Sequence, residues 1–221
     1  MKIIALPDLH NGLTSLSEIS NNLSQVDLVL LVGDLTNGGP AQDASQVVQL
    51  VRRFNASVLA IPGNWDTPEI ENYLSQESIN LHRRHIRREG LTFVGMGLSL
   101  PGIVPTPNEI TEADFETFFT EINSNLLPGE PDILICHQPP YGTQNDLAQG
   151  KVHVGSKTVR KFIERNQPLI CFTGHIHEGV GIDQIGNTKI INPGPLSKGN
   201  YAYAEVTQGG VQTLEIVPMN P

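Results

Sequence analysis

The chain lacks any apolar stretch long enough to span a membrane, which would require about 20 consecutive apolar residues. Its apolar start is also too short for a secretory signal, because Asp8 interrupts it. These two absences predict a cytoplasmic protein that has no membrane partner. We therefore expect the first apolar run to form a strand of the core.

Basic side chains and cysteines are also scarce. The chain has 14 lysines and arginines against 23 aspartates and glutamates, and its net charge is −9. Such a chain has no overall positive field to attract nucleic acid, so we expect no nucleic-acid partner. The two cysteines, Cys136 and Cys171, each lie inside an apolar run. We interpret both as buried free thiols rather than as a disulfide.

No G-x-S-x-G segment is present, which disfavours the class of hydrolases that use a serine nucleophile on such a turn. Repeats and low-complexity tracts are missing as well. A length of 221 residues is acceptable for one α/β domain, and we expect residues 1–221 to form a single domain.

Apolar runs and helical periodicity alternate along the first part of the chain, and the order strand, helix, strand, helix, strand predicts an α/β fold. Further helices are predicted over residues 111–126 and 156–166, the second with Ser156 as its N-cap. The four β-rich segments between residues 181 and 217 alternate and are joined by turns, which predicts one antiparallel meander.

Five short polar motifs each follow an apolar run that is typical of a buried strand. Ligands of open α/β sheets bind at the carboxyl ends of strands. Carboxylate, amide and imidazole groups gathered in one crevice would be poorly compensated without a cation. The sequence therefore predicts a metal centre, formed by a pair of ions. The motifs are Asp8-Leu9-His10, Gly33-Asp34, Gly63-Asn64-Trp65-Asp66, His137 and Gly174-His175-Ile176-His177.

In this order the motifs resemble those of the calcineurin-like metallophosphoesterase superfamily, whose usual series is D-x-H, G-D, G-N-H-[DE], an isolated His and G-H-x-H. The match runs from Asp8 to His177 and continues into Asn192-Pro193-Gly194, another segment typical of the family. The resemblance implies an α/β fold with four α-β-β-α layers, in which two facing mixed β-sheets are flanked by helices.

The resemblance also implies two divalent transition-metal ions that share Asp34. The ligands of the first ion would be Asp8, His10, Asp34 and His177, and those of the second would be Asp34, Asn64, His137 and His175. Mixed nitrogen and oxygen ligands suit manganese, iron, zinc, cobalt or nickel better than calcium, and manganese is our preferred ion.

The implied reaction is the hydrolysis of a phosphate ester, in which a hydroxide bridging the two ions attacks phosphorus in line. We expect a small phosphate ester or a nucleotide as the substrate, and a phosphodiesterase in preference to a monoesterase. The alternative is a metal-holding interaction scaffold with weak or no catalytic activity. The sequence leaves the oligomeric state undetermined.

Single residues of the motifs also have ordinary structural interpretations. Asp8 can cap the first helix, Asn64 can occupy a turn, and His137 can be a core histidine. Asp66 has two interpretations that the sequence does not separate. It can support a metal ligand by hydrogen bonding, or it can cap the helix that begins at Pro68.

Trp65 departs from the family pattern, because it occupies the place where the family usually has a histidine. That histidine commonly contacts the phosphate and protonates the leaving oxygen, whereas an indole cannot transfer a proton. Loss of general acid catalysis costs about 10²–10⁴ in rate and affects leaving groups of high pKa most. Three outcomes are open: a preference for diesters with good leaving groups, a different proton donor, or a non-catalytic scaffold.

His153, in the segment 150–156, is the substitute acid that we predict, and the alternative is a solvated loop histidine. The predicted catalytic residues are thus Asp34, Asn64 and His153. His82 and His85 lie in the basic segment LHRRHIRREG, and we expect both to face solvent, with a local contact to nucleic acid or to a partner as the alternative.

Overall fold

The computed structural model describes residues 1–149 and 151–219. Gly150, which begins the segment that contains His153, lies outside these residues, as do the last two residues of the predicted domain. The strands are β1 (Lys2–Leu6), β2 (Leu28–Val32), β3 (Val58–Ile61), β4 (Arg84–Arg88), β5 (Leu91–Met96), β6 (Ile133–Cys136), β7 (Leu147–Ala148), β8 (Val152–His153), β9 (Ile170–Phe172), β10 (Gly181–Ile185), β11 (Thr188–Asn192), β12 (Asn200–Thr207) and β13 (Gly210–Pro218). The helices are α1 (Leu13–Glu18), α2 (Ser20–Leu23), α3 (Ala41–Arg52), α4 (Pro68–Gln76), α5 (Glu112–Asn123) and α6 (Lys157–Asn166), and short 3₁₀ turns lie at Gln144–Asp146 and Leu196–Lys198.

Two large mixed sheets contain most of the strands. The five-stranded sheet has the order β13-β12-β1-β2-β3, in which β1, β2 and β3 are parallel to one another. The six-stranded sheet has the order β10-β11-β9-β6-β5-β4, in which β11, β9, β6 and β5 are parallel. The outer strands β10 and β4 run antiparallel to their neighbours. β7 and β8 pair separately as a small antiparallel ladder.

Alternate residues of each strand face opposite sides of its sheet, so each strand contributes to two layers of the core. Ile4 and Leu6 of β1 pack against α1–α4 in one buried cluster. Ile3 and Ala5 of the same strand face the other large sheet in a second cluster. A third cluster lies between the six-stranded sheet and the helices α5 and α6. The expected four-layer α-β-β-α arrangement is therefore confirmed.

Both helices predicted near the middle of the chain are present, and capping residues explain where they begin, although α5 ends at Asn123 rather than at residue 126. The hydroxyl of Thr111 accepts a hydrogen bond from the backbone N–H of Asp114, and the carboxylate of Asp114 accepts one from the N–H of Thr111, which forms a capping box for α5. Ser156 caps α6 by accepting a hydrogen bond from the N–H of Val159 at 3.1 Å.

The carboxyl-terminal segments do not form one meander, so that prediction was wrong. β10 and β11 belong to the six-stranded sheet, where β11 lies parallel to β9. β12 and β13 belong to the five-stranded sheet, where β12 pairs antiparallel with β1. The segment 193–199 carries the chain from one sheet to the other. Alternation along a strand shows which face is buried, but it does not show which sheet edge supplies the hydrogen bonds.

His82 is buried, which corrects the expectation that it faces solvent. Its Nδ1 accepts a hydrogen bond from the backbone N–H of Gly97 at 2.8 Å. Burial, together with the positive charges of Arg83 and Arg84, lowers the pKa of His82 to about 3. The histidine is therefore a neutral core residue at physiological pH, although its neighbours in the sequence are basic.

Both cysteines are buried and free, as predicted. Cys136 packs in the cluster beneath α5 and α6, while the next residue, His137, points to the opposite side and contacts the carbonyl oxygen of Val32 in the other sheet. None of the helices in the described part of the chain has the length and apolar character needed to cross a membrane.

Candidate metal centre

The five predicted motifs follow the carboxyl ends of five parallel strands and meet at one edge of the sandwich. Asp8, Asp34 and Asn64 follow β1, β2 and β3 of the five-stranded sheet. His137 follows β6, and the segment 174–177 follows β9, in the six-stranded sheet. The site therefore depends on both sheets, and neither sheet alone holds all the candidate ligands.

The first group of candidate ligands consists of Asp8, His10 and His177. One atom of each of these side chains lies within 4.8 Å of the others. Nε2 of His177 lies 3.5 Å from Oδ1 of Asp8 and 3.3 Å from Nε2 of His10. Nε2 of His10 also lies 3.8 Å from Oδ2 of Asp34, which connects this group to the second one.

The second group contains Asp34 and His137, whose Oδ2 and Nε2 atoms lie 3.5 Å apart. Oδ1 of Asn64 lies 3.1 Å from the same Nε2. The ring of His175 packs beside that of His137, with 5.3 Å between their centroids. Asp8 also has an atom within 4.8 Å of those of Asp34 and His137, so both buried carboxylates adjoin both groups.

Backbone carbonyl groups orient two of these imidazole rings. Nδ1 of His137 lies 2.8 Å from the carbonyl oxygen of Val32, and Nδ1 of His10 lies 3.3 Å from that of Thr36. A carbonyl oxygen can only accept a hydrogen bond, so each Nδ1 carries the proton. Each Nε2 is thereby turned towards the carboxylates, in the orientation that metal-binding histidines adopt.

Four candidate ligands have a left-handed backbone conformation, which residues other than glycine rarely adopt. The φ angles of Asp8, His10, Asp34 and His175 are 53°, 46°, 52° and 65°. Left-handed conformations of residues other than glycine store strain and gather at functional sites, where the surrounding structure holds them. The backbone at these strand ends is thus shaped to direct side chains into one crevice.

Two glycines permit the close approach of the loops that carry the ligands. A side chain at Gly33, which has a φ of +86°, would overlap the ring of His137. A side chain at Gly63 would overlap the backbone nitrogen and the carboxylate of Asp34. Glycine at these positions therefore lets the ends of β2 and β3 pack directly against the candidate ligands.

Asp66 connects the loops after β2 and β3. Its fully buried carboxylate accepts hydrogen bonds from the N–H groups of Leu35, Thr36 and Gly63 at 3.0, 2.9 and 2.8 Å. It does not cap α4, which begins after Thr67 with no side-chain cap. Burial, followed by the charge of Asp34, raises the pKa of Asp66 to about 6. Asp66 therefore supports the backbone directly after Asp34 and directly before Asn64, which favours the first of its two predicted roles.

The buried Asp34 and His137 each favour the charged form of the other. Burial would raise the pKa of Asp34, but His137, the N–H of Trp65 and His10 together lower it below its ordinary value. Burial would lower the pKa of His137, but the charge of Asp34 and, to a smaller extent, that of Asp8 raise it to about 9. A cation is thus favoured beside Asp34.

The two histidines after β9 differ in their electrostatic surroundings. Burial, together with the charge of His137, lowers the pKa of His175 to about 4, so its imidazole is neutral and has a lone pair available. A hydrogen bond to Asp8 raises the pKa of His177, which is more exposed. Two buried carboxylates, an amide oxygen and several imidazoles form a mixed oxygen and nitrogen donor set, which fits divalent transition-metal ions.

His153 makes its contacts outside these two groups. Its Nδ1 lies 2.6 Å from Oδ1 of the buried Asp146, and its ring packs 5.6 Å from that of Tyr141. Among the described residues, no recorded hydrogen bond or ring contact joins His153 to a candidate ligand. The side chain is 39% exposed. Backbone N–H groups fix Asp146 in turn, from Gly142, Thr143 and Gly155.

Asn108 is a contributor that the sequence did not reveal. Its backbone N–H donates to the carbonyl oxygen of Asn64 at 3.0 Å, and its side-chain Nδ2 donates to that of Asp66 at 3.1 Å. The loop before α5 therefore fixes the segment that contains Trp65. A single asparagine in a Pro-rich and Gly-rich loop gives no signal that would identify this role.

Comparisons with known proteins identify the family and the fold. The family model of the calcineurin-like phosphoesterases matches residues 1–179. The uncharacterized protein MJ1162 of Methanocaldococcus jannaschii is 35% identical over 201 residues, which cover 89% of each chain. A 3',5'-cyclic-nucleotide phosphodiesterase of Nostoc sp. is 21% identical over 155 residues, or 70% of this chain and 57% of that one. The crystal structure of TT1561 of Thermus thermophilus has the same fold, with a TM-score of 0.75 and 18% identity over 99% of both chains.

Proposed function

The chain belongs to the calcineurin-like phosphoesterase family, and we propose that it is a phosphodiesterase that uses two divalent metal ions. The observation that carries the proposal is the meeting of the candidate ligands from five strand ends in one crevice. A relative that carries the name of a cyclic-nucleotide phosphodiesterase supports a diester as the substrate.

The proposed ligands of the first ion are Asp8, His10, Asp34 and His177, and those of the second are Asp34, Asn64, His137 and His175. Manganese is the ion we propose, because the mixed donor set suits it, with iron, zinc, cobalt and nickel as alternatives. When bound, the ions polarise phosphoryl oxygens and activate water as the nucleophile.

The protein itself contributes a preorganised site. The backbone N–H of Trp65 donates to Oδ1 of Asp34 at 2.8 Å, which leaves Oδ2 directed at His137 and His10. The backbone N–H of His175 lies 3.2 and 3.1 Å from the two carboxylate oxygens of Asp8. These bonds fix both carboxylates before a substrate arrives, so little reorganisation accompanies the reaction.

Diesters with good leaving groups are the substrates that this site favours. Trp65 lies directly after Asn64 and cannot protonate a leaving oxygen. Good leaving groups depart as anions with little help from an acid. For poorer leaving groups we propose His153 as the proton donor, because the buried Asp146 holds its Nδ1 and the side chain remains 39% exposed.

The experiment that tests the function is an assay of the metal-stripped protein on an aryl phosphodiester, with and without Mn²⁺. We expect turnover only with metal, and its loss in Asp34→Asn. Asp27→Asn is the matched control, because Asp27 is an exposed carboxylate at the opposite ends of the strands, where it accepts a hydrogen bond from Lys2. A fully metallated protein without turnover would contradict the proposal.

The exposure of Trp65 favours a second candidate, in which the metals stabilise a scaffold that binds a protein partner. Its side chain is 37% exposed beside the candidate ligands, and large aromatic side chains often anchor interfaces. This candidate predicts two bound metals, no turnover of any diester, and a partner that dissociates in Trp65→Ala. Metal-dependent turnover by the wild-type protein would exclude it.

A further inference from the structure

Trp65 is an exposed aromatic residue on a rigid segment. Its backbone N–H donates to Asp34, and Asn108 makes hydrogen bonds to the residues on either side of it, Asn64 and Asp66. Its side chain nevertheless remains 37% exposed. A large aromatic side chain thus follows directly after the candidate ligand Asn64, and it belongs to none of the three buried clusters of the described residues.

Gly38 lies beside both the indole and Pro107. A Cβ atom added at Gly38 would lie 3.8 Å from Cε3 of Trp65 and 3.7 Å from Cγ of Pro107. Gly38 has a φ of +83° and has no side chain to cover the ring. Part of the indole therefore lies beside the backbone of Gly38, and Trp65 keeps 37% of its surface exposed.

The carboxylate of Glu109 accepts hydrogen bonds from the backbone N–H and the hydroxyl of Thr106, so the loop beside Pro107 carries a negative charge that disfavours an anionic group there. Residues 101–107 read PGIVPTP and contain no charged side chain. A substrate phosphate held at the metal centre must extend one ester arm away from the ligands. Trp65 directly follows the candidate ligand Asn64, and its exposed indole offers a stacking contact and no ion pair.

We infer that Trp65, Gly38 and Pro107 form a subsite for an uncharged aromatic ring carried by one ester arm of the substrate. The inference rests on the proposed function, and it names the substrate class of the same site. Trp65 acts here as a specificity-determining residue, because an aromatic ring stacks on an indole better than a saturated ring of similar size does.

The test is the binding of phenylphosphonate and cyclohexylphosphonate to the Zn²⁺-loaded protein by calorimetry. The two probes share the same charged group and differ in the planarity of the ring. A merely apolar pocket would prefer the more hydrophobic cyclohexyl group, whereas stacking prefers phenyl. We expect phenylphosphonate to bind the wild-type protein about tenfold more tightly.

Variants of Trp65 and Ile103 distinguish stacking on the indole from other effects on the binding of the probes. Trp65→Ala is expected to abolish the preference, and Trp65→Phe to retain most of it. Ile103→Ala is the matched control, because Ile103 is a fully exposed apolar residue on the same loop as Pro107. It should bind both probes as the wild-type protein does. Bound zinc and thermal unfolding are measured for each variant, to show that the site is intact.

The single tryptophan of the chain provides a second readout. Phenylphosphonate should change the fluorescence of the wild-type protein at concentrations that match its calorimetric affinity, and cyclohexylphosphonate should change it less. Adenosine 5'-monophosphate compared with ribose 5-phosphate shows whether the ring can be a nucleobase. A preference for the adenosine compound that Trp65→Ala removes identifies a nucleotide arm, and its absence restricts the subsite to simple aryl arms.

Equal affinity of the wild-type protein for the phenyl and cyclohexyl probes would overturn the inference. So would a phenyl preference that persists in Trp65→Ala, or a failure of both probes to bind. These measurements need no turnover, so they separate the two proposals. If the protein shows the Trp65-dependent preference but hydrolyses no diester, the subsite is supported and the proposed phosphodiesterase activity is contradicted.

Discussion

At the scale of single residues, Asp66 shows how a buried carboxylate can serve a site without facing it. The sequence places an acidic residue two positions after Asn64, but two roles fit that spacing. The structure distinguishes the two roles, because the N–H groups of Leu35 and Thr36, in another loop, donate hydrogen bonds to the carboxylate of Asp66. No local pattern records such a partner, because the contact joins positions about thirty residues apart.

Replacing Asp66 with alanine should therefore weaken both the fold and the metal centre. The change leaves the buried N–H groups of Leu35, Thr36 and Gly63 without an acceptor, and each such loss costs about 1–3 kcal/mol. We expect the free energy of unfolding in urea to fall by about 3 kcal/mol, and bound metal to fall with it. Glu69→Ala, an exposed acidic residue in the first turn of α4, should change stability by less than about 0.5 kcal/mol. Equal stability of the two variants would show that Asp66 has no structural role.

Trp65 is the residue at which the family resemblance fails, and its replacement by histidine is informative. Histidine at this position supplies a transferable proton, so diesters with poor leaving groups should gain about 10²-fold in rate. Aryl diesters should gain much less. The measurement is the slope of rate against the pKa of the leaving group, which should become shallower in Trp65→His. An unchanged slope would show that proton donation from this position does not limit the reaction.

At the scale of secondary structure elements, local signals located the helices well. Ser156 was predicted as the cap of its own helix, and the structure has it in this role, while Thr111, which was predicted inside the other helix, is its cap. The carboxyl-terminal strands were harder, because their partners lie far away in the sequence. Lys2 pairs with Glu205, and Ile190 pairs with Cys171, and neither pairing is encoded by the turns between the strands.

The edge of the six-stranded sheet is held by a polar contact that should make stability depend on pH. The carboxylate of Glu130 accepts hydrogen bonds from Nε and Nη2 of Arg87 in β4 at 2.8 and 2.7 Å, and from the hydroxyl of Thr92 in β5. The hydrogen bonds from Arg87 are the main reason that the pKa of Glu130 falls from 4.5 to about 2. A carboxyl group with a lowered pKa in the folded state stabilises the protein above its unfolded pKa.

The expected contribution of Glu130 is therefore full above pH 4.5 and is lost as the pH falls towards 2. Glu130→Gln should lower the free energy of unfolding at pH 6, and the difference from the wild-type protein should shrink as the pH falls through this range. Urea denaturation at a series of pH values measures it. Glu164→Gln, whose ion pair with Arg160 is on the surface of α6, should have a small effect at pH 6. If the free energies of unfolding of Glu130→Gln and the wild-type protein differ by the same amount at every pH, the proposed role of Glu130 is contradicted.

At the scale of the whole molecule, the site lies where the two sheets meet. The order of the motifs and their positions after apolar runs predicted that the candidate ligands would converge. How the two sheets face each other could not be predicted from those positions alone and came from the resemblance. Contacts such as that between Nδ1 of His137 and the carbonyl oxygen of Val32 cross from one sheet to the other. The candidate metal centre consequently depends on the assembly of both sheets.

Metal binding should for this reason stabilise the whole fold. The unfolded chain does not hold Asp34 and His137 near each other, so a divalent ion binds the folded state preferentially. At a concentration of metal one hundred times its dissociation constant, the free energy of unfolding should rise by about 2.7 kcal/mol for each independent site. Urea denaturation with increasing Mn²⁺ measures the rise. Asp34→Asn should lose most of the response, because Asp34 adjoins both groups of ligands. Asp27→Asn should keep the response in full, and an equal response of the two variants would place the stabilising ions elsewhere.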